Sequence, residues 1–91
     1  MVSIKTTVIN KTGLHARPAA EFVKAAKMYK AKIRVSCEDN GEKKEANAKS
    51  IVAVLSLCAT IGTEITISAE GENENLAVSE LVKLVESGFG E

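Results

Sequence analysis

The chain has 91 residues with 12 Lys or Arg against 12 Asp or Glu, and 45% of its residues are hydrophobic. A chain of this length builds one core and buries roughly 60 to 70% of its unfolded surface, which excludes a doubly wound dinucleotide fold, a barrel, or a separate substrate domain. Three aromatic residues and zero net charge leave no stacking platform and no global field for nucleic acid, so none is expected as a partner.

Val2, Ile4, Thr6 and Val8 recur with period two and predict a half-buried strand, closed by the turn residues Asn10-Lys11-Thr12-Gly13. From Ala16 to about Tyr29 the period changes: Ala19, Phe22, Val23 and Ala26 share one face of an amphipathic helix, with Arg17 expected just outside it because a residue before proline resists helical torsions. Ile33, Val35 and Cys37 alternate again, and Asp39-Asn40-Gly41 signals a hairpin into a polar edge strand over Glu42 to Asn47. The apolar run Ile51 to Leu57 has no decisive period. Ser50 before it can cap a first turn, which favours a short helix. Ile65, Ile67 and Ala69 predict a last strand, and Leu76, Ala77, Leu81, Leu84 and Val85 a last helix that Gly88 stops.

The order is β-α-β-β-α-β-α, an α+β chain expected to form a sheet with helices on one face and water on the other. One domain over 1–91 is expected. The longest apolar stretch, Ile51 to Gly62, is about half of the ~20 residues that span a bilayer, so no membrane insertion is expected. The N-terminus shows neither a basic leader nor a continuous apolar segment, and a cytoplasmic location is expected. Cys37 and Cys58 lack metal-ligand spacing and are read as small buried hydrophobes, the alternative being a disulfide or reactive thiol. Charge is uneven along the chain: residues 1–49 carry 11 cations and 5 acids, residues 50–91 one cation and 7 acids.

The single histidine lies in Thr12-Gly13-Leu14-His15-Ala16-Arg17-Pro18, between the first strand and the first helix. At a helix N-terminus the first amides lack intrahelical acceptors and the dipole is positive, which favours a phosphate. A neutral imidazole nitrogen is a nucleophile, Arg17 offers a planar cationic fork, and Pro18 stiffens the first turn. The surroundings do not suit hydrolysis, since there is no Gly-rich nucleotide loop, no paired metal carboxylates and no activated Ser or Cys. No metal or cofactor is expected.

The run Thr12 to Ala19, followed by Asn47-Ala48-Lys49-Ser50-Ile51 and Val54-Leu55-Ser56-Leu57, resembles the HPr family, the histidine-containing phosphocarriers of the bacterial sugar phosphotransferase system. The resemblance implies an open-faced β-sandwich, a four-stranded antiparallel sheet with three helices on one side. It implies that His15 takes a phosphoryl group on Nδ1 from phosphorylated enzyme I and delivers it to sugar-specific IIA proteins or domains, a carrier role rather than an enzyme's. Arg17 would contact the phosphate, with Thr12, Ala16 and Pro18 in support. Ser50 matches the serine modified by HPr kinase/phosphorylase, which links many family members to a catabolite-control transcription factor. The docking surface would combine Arg17, Lys24, Lys27 and Lys49 with the exposed side of Ile51, Val52 and Leu55, beside His15, and a monomer is expected. Val52, Ala53, Leu55 and Cys58 depart from residues frequent in the family, and the hairpin around 39–44 is longer than expected. Two alternatives remain open: a regulatory or nitrogen-related relay protein of the same family, and a small α/β ligand-binding module in which His15 is a helix cap.

Overall fold

The computed structural model describes residues 1–39, 41–57 and 59–90. Its elements are β1 (Val2–Thr7), α1 (Ala16–Ala26), β2 (Lys32–Asp39), β3 (Glu42–Asn47), α2 (Ile51–Ser56), β4 (Glu64–Glu70) and α3 (Glu74–Glu86), followed by a 3-10 turn at Gly88–Gly90. The four strands form one antiparallel sheet in the order β1-β4-β2-β3. The expected element order and the open sheet with three helices are therefore both present.

Alternation places Ile65, Ile67 and Ala69 of β4 and Ile33, Val35 and Cys37 of β2 on one face, where all six are buried. Register keeps them together, with Val35 opposite Ile67 and Cys37 opposite Ile65. Leu14, Phe22, Val54, Val78, Leu81 and Val85 close over them from the helical side. Full burial of a side chain such as Phe22 stabilises by about 1.5 to 3 kcal/mol. Ser36, Thr66 and Ser68 stand on the opposite face, partly exposed to solvent.

Three expectations need correction. First, α1 stops at Ala26 rather than near Tyr29, because Met28 and Tyr29 donate to the carbonyls three residues back, Ala25 and Ala26, and the chain tightens out of the α-helix. Second, Arg17 is inside α1, which begins at Ala16: the bias that Pro18 puts on the residue before it is overridden in the first turn, where proline's missing N–H costs no intrahelical bond. Third, β1 loses its cover in the middle: Val2 packs partly buried against the core and Thr6 and, just past the strand, Val8 are buried, while Ile4 is 40% exposed, since an edge strand is covered on fewer sides. The alternation in β1 is correct in phase but not in depth.

Cys37 is buried, and its thiol donates to the Leu57 carbonyl at 3.8 Å. Cys58 and Asn40, the centre of the expected hairpin turn, lie outside the described residues. Among the described residues no helix is long and apolar enough to cross a membrane.

Candidate functional site

The loop before α1 is built by Asn10 and Gly13. Buried Asn10 donates from Nδ2 to the Gly13 carbonyl at 2.8 Å and to Thr12 Oγ1 at 3.3 Å, while the Gly13 N–H returns to the Asn10 carbonyl at 3.2 Å. Gly13 has φ +65°, and a Cβ there would lie 2.3 Å from the Ala59 carbonyl oxygen. Only glycine satisfies both the torsion and the approach. The next amide, Leu14 N–H, donates to that same Ala59 oxygen at 2.9 Å. Buried Leu14 on one side and buried Pro18 on the other then hold His15 outward, exposed, at the N-cap of α1.

His15 is extended (φ −120°, ψ 158°), and its ring makes no capping hydrogen bond. The first helical bond runs from Ala19 N–H to the His15 carbonyl at 3.4 Å. Pro18 has no N–H, so the amides of Ala16 and Arg17 are the first-turn donors without an intrahelical acceptor. No acid occupies that turn. An anion carried on the His15 ring therefore meets two backbone donors and the positive end of an 11-residue helix.

The Arg17 side chain is 64% exposed and reaches Glu21 Oε1 from Nε at 3.8 Å. An exposed i,i+4 pair is worth less than about 1 kcal/mol, so the guanidinium is lightly held and free to turn toward a neighbouring phosphate. Among the support residues, Thr12 is tied to Asn10, Pro18 packs into the core, and Ala16 opens the helix.

Ser50 is the N-cap of α2, as its sequence position suggests: its Oγ accepts from Ala53 N–H at 3.3 Å. It does not lie beside His15. The far end of α2 is tied to the His15 loop through Ala59 and Leu14, whereas its near end is tied to the end of α1 by Lys49 Nζ, which donates to the Tyr29 carbonyl at 2.6 Å. Hence α1 and α2 run antiparallel, with Ser50 toward the C-terminal end of α1 and His15 at its N-terminus, and α1 is about 16 Å long. Of the expected docking residues, Ile51, Val52 and Leu55 are exposed on α2, Val52 at 74%, while Val54 turns into the core. Lys24 and Lys27 are exposed on or just after α1, and Lys49 is half-buried with its ammonium on Tyr29.

Asn10 and Ala59 are the positioning residues that sequence reasoning missed. Asn10 reads as one turn residue among four, and nothing local distinguishes an asparagine that clamps a loop. Ala59 lies 46 positions after Gly13 and has no side-chain chemistry to announce it.

A family model described as the PTS HPr component phosphorylation site matches residues 2–87. The phosphocarrier protein HPr of Pseudomonas aeruginosa is 42% identical over 96 residues, covering 100% of this chain and 98% of that protein. Among solved structures, HPr-C-His from Thermoanaerobacter tengcongensis superposes with a TM-score of 0.89 at 45% identity, covering 100% of this chain and 98% of that one. Crh, the Bacillus subtilis catabolite repression protein, superposes with a TM-score of 0.70 at 42% identity over 97% of each chain, and is described as a dimer with a swapping domain. That dimer leaves the expectation of a monomer without support.

Proposed function

The chain belongs to the HPr family of the phosphotransferase system, and from that premise we propose that its one histidine is the residue that carries the phosphoryl group. The family's members are phosphocarriers rather than classical enzymes. The observation that carries the reading is the exposed His15 at the N-cap of α1, with Arg17 two residues on and two first-turn amides that have no intrahelical acceptor beside it.

In this reading Nδ1 of neutral His15 attacks the phosphorus of phosphorylated enzyme I. A P–N bond forms on His15 as the donor's P–N bond breaks, and the donor imidazole leaves with the electron pair. The reverse partition delivers the group to a sugar-specific IIA protein or domain. Arg17 and the amides of Ala16 and Arg17 stabilise charge on the phosphoryl oxygens during both transfers. The docking face is the exposed apolar side of α2, Ile51, Val52 and Leu55, flanked by Lys24, Lys27 and Lys49. The whole chain acts as one such domain in the cytoplasm.

Ser50 is proposed as a second phosphorylation position, served by HPr kinase/phosphorylase in an organism that has it and read by a catabolite-control transcription factor. A phosphate of about −1.5 to −2 at the start of α2 is compatible with the local helix and costly to a partner that must desolvate the adjoining apolar patch. The likeness to Crh favours a second reading, in which this regulatory task is the main one.

Incubation with phosphoenolpyruvate and enzyme I tests the carrier reading. Acid-labile phosphate on the parent chain and none on His15→Ala, followed by transfer to a IIA protein, is the expected result. Labelling that persists in His15→Ala refutes it; no labelling in that mixture, with phosphorylation of Ser50 in a separate incubation with ATP and HPr kinase/phosphorylase, selects the regulatory reading.

A further inference from the structure

A second cationic site lies at the other end of α1 from His15. Lys30, Lys32, Arg34, Asn47 and Lys49 line an open groove of about 280 Å³, drawn from three segments: the α1–β2 connection, β2 and the β3–α2 turn. No carboxylate lines it. Glu45 reaches Arg34 at 3.4 Å, but among the described residues Lys30 and Lys32 have no ion-pair partner, although Glu70 stands opposite Lys32 in the β4 register. In a chain whose cations and acids balance in number, four cations around one concavity, with only Glu45 and Glu70 at its margin, leave a net positive local charge.

The groove's floor is held in place. Ala48 N–H donates to the Ile33 carbonyl at 3.0 Å and pins the β3–α2 turn to β2. Asn47 Oδ1 accepts Lys49 N–H at 2.9 Å, and Lys49 Nζ is fixed on the Tyr29 carbonyl at 2.6 Å. Two of the lining side chains are thereby oriented before any ligand arrives, which lowers the ordering cost of binding.

We propose that this groove binds a small polyphosphorylated anion, at a site separate from His15. No aromatic ring lines it, so it has nothing on which to stack a nucleobase and recognises the phosphates themselves. At about 30 Å³ per water its volume equals that of roughly nine waters, room for two or three linked phosphoryl groups. Fixed Lys49, Arg34 with its planar fork, and two unpaired lysines suit several oxygens at once rather than a single carboxylate.

The test is an amide NMR titration with tripolyphosphate at constant ionic strength. Saturable shifts centred on 31–34 and 47–49, weakened at least about tenfold in Lys30→Ala/Lys32→Ala and unaffected by Lys5→Ala/Lys43→Ala, support the site. Shifts that do not saturate, that centre on 15–17, or that are unchanged in Lys30→Ala/Lys32→Ala overturn it. So does displacement by hexaglutamate at lower concentration, which would assign the groove to an acidic protein segment. Phosphoenolpyruvate-dependent labelling of His15 in Lys30→Ala/Lys32→Ala is expected at the parent rate, so failure of this site and failure of the carrier reading are separate results.

Discussion

Replacing Gly13 by alanine adds one methyl group and should disturb both the stability and the site. The added Cβ would sit 2.3 Å from the Ala59 oxygen and 2.8 Å from the Thr60 Cα, both backbone atoms that cannot rotate away. Reaching ordinary contact requires the two loops to part by roughly 1 Å. That movement stretches the 2.9 Å Leu14 to Ala59 hydrogen bond, worth about 1 kcal/mol. The left-handed torsion at φ +65° costs alanine about 1 kcal/mol more, and residual overpacking about 1 to 2 kcal/mol. The sum is about 3 to 4 kcal/mol, a large share of the 5 to 15 kcal/mol typical of a domain. Gly62 is the internal control. It too has positive φ, +87°, but nothing lies within 4 Å of its Cβ position, so Gly62→Ala should cost only the torsional part, about 1 kcal/mol. Urea unfolding reads the difference: with a slope near 1 kcal/mol/M, Gly13→Ala should lower the midpoint by about 2 to 3 M more than Gly62→Ala. Its folded fraction should also pass phosphate more slowly, since His15 moves with the loop. Equal midpoints for the two variants would show that the Gly13 to Ala59 approach does not set the loop.

For Arg17→Ala, transfer to and from His15 should slow by about 10- to 100-fold with little change in melting temperature, because the Glu21 pair it removes is exposed; stopped-flow transfer and calorimetry on one sample check both. Ser50→Ala should lose about 1 kcal/mol of cap, while Ser50→Asp should retain the cap and slow enzyme I at low salt; equal enzyme I rates for the parent and both variants would confine Ser50 to capping. The Glu74 carboxyl is held below its ordinary range, chiefly by its bond to the Met1 ammonium at 3.0 Å and then by the Gly71 N–H. A lowered folded value means that its contribution to stability is present above the ordinary carboxylate range and lost as pH falls through the folded value. Acetylating the amino terminus should raise the Glu74 midpoint in an NMR titration.

The histidine was legible in the sequence because every part of its setting is local: a turn, a helix start, Arg17 and Pro18 within four residues. Ser50 was legible for the same reason, as a cap resolving an apolar run that period alone left open. What pins the loop was not, since Asn10 clamps through a side chain that any turn could carry and Ala59 contributes only a carbonyl. The end of α1 depended on bonds that reach back three residues instead of four, which a hydrophobic stripe does not register. The groove of Lys30, Lys32, Arg34 and Lys49 is assembled by strand pairing and by Ala48 docking on Ile33, so its charges read in the chain only as a basic half.

The antiparallel setting of α1 and α2 makes the two candidate phosphorylation positions nearly deaf to one another. At a separation on the order of the length of α1, about 16 Å, two groups of about −2 repel by about 1 kcal/mol in unscreened water, and by about 0.1 to 0.2 kcal/mol behind two Debye lengths of physiological salt. A donor no bigger than a phosphoramidate, touching only the imidazole, would modify His15 at nearly the same speed whatever Ser50 carries. Only a body wide enough to lie along both helices at once would sense the difference, so a mark at Ser50 sorts visitors by the breadth of their footprint.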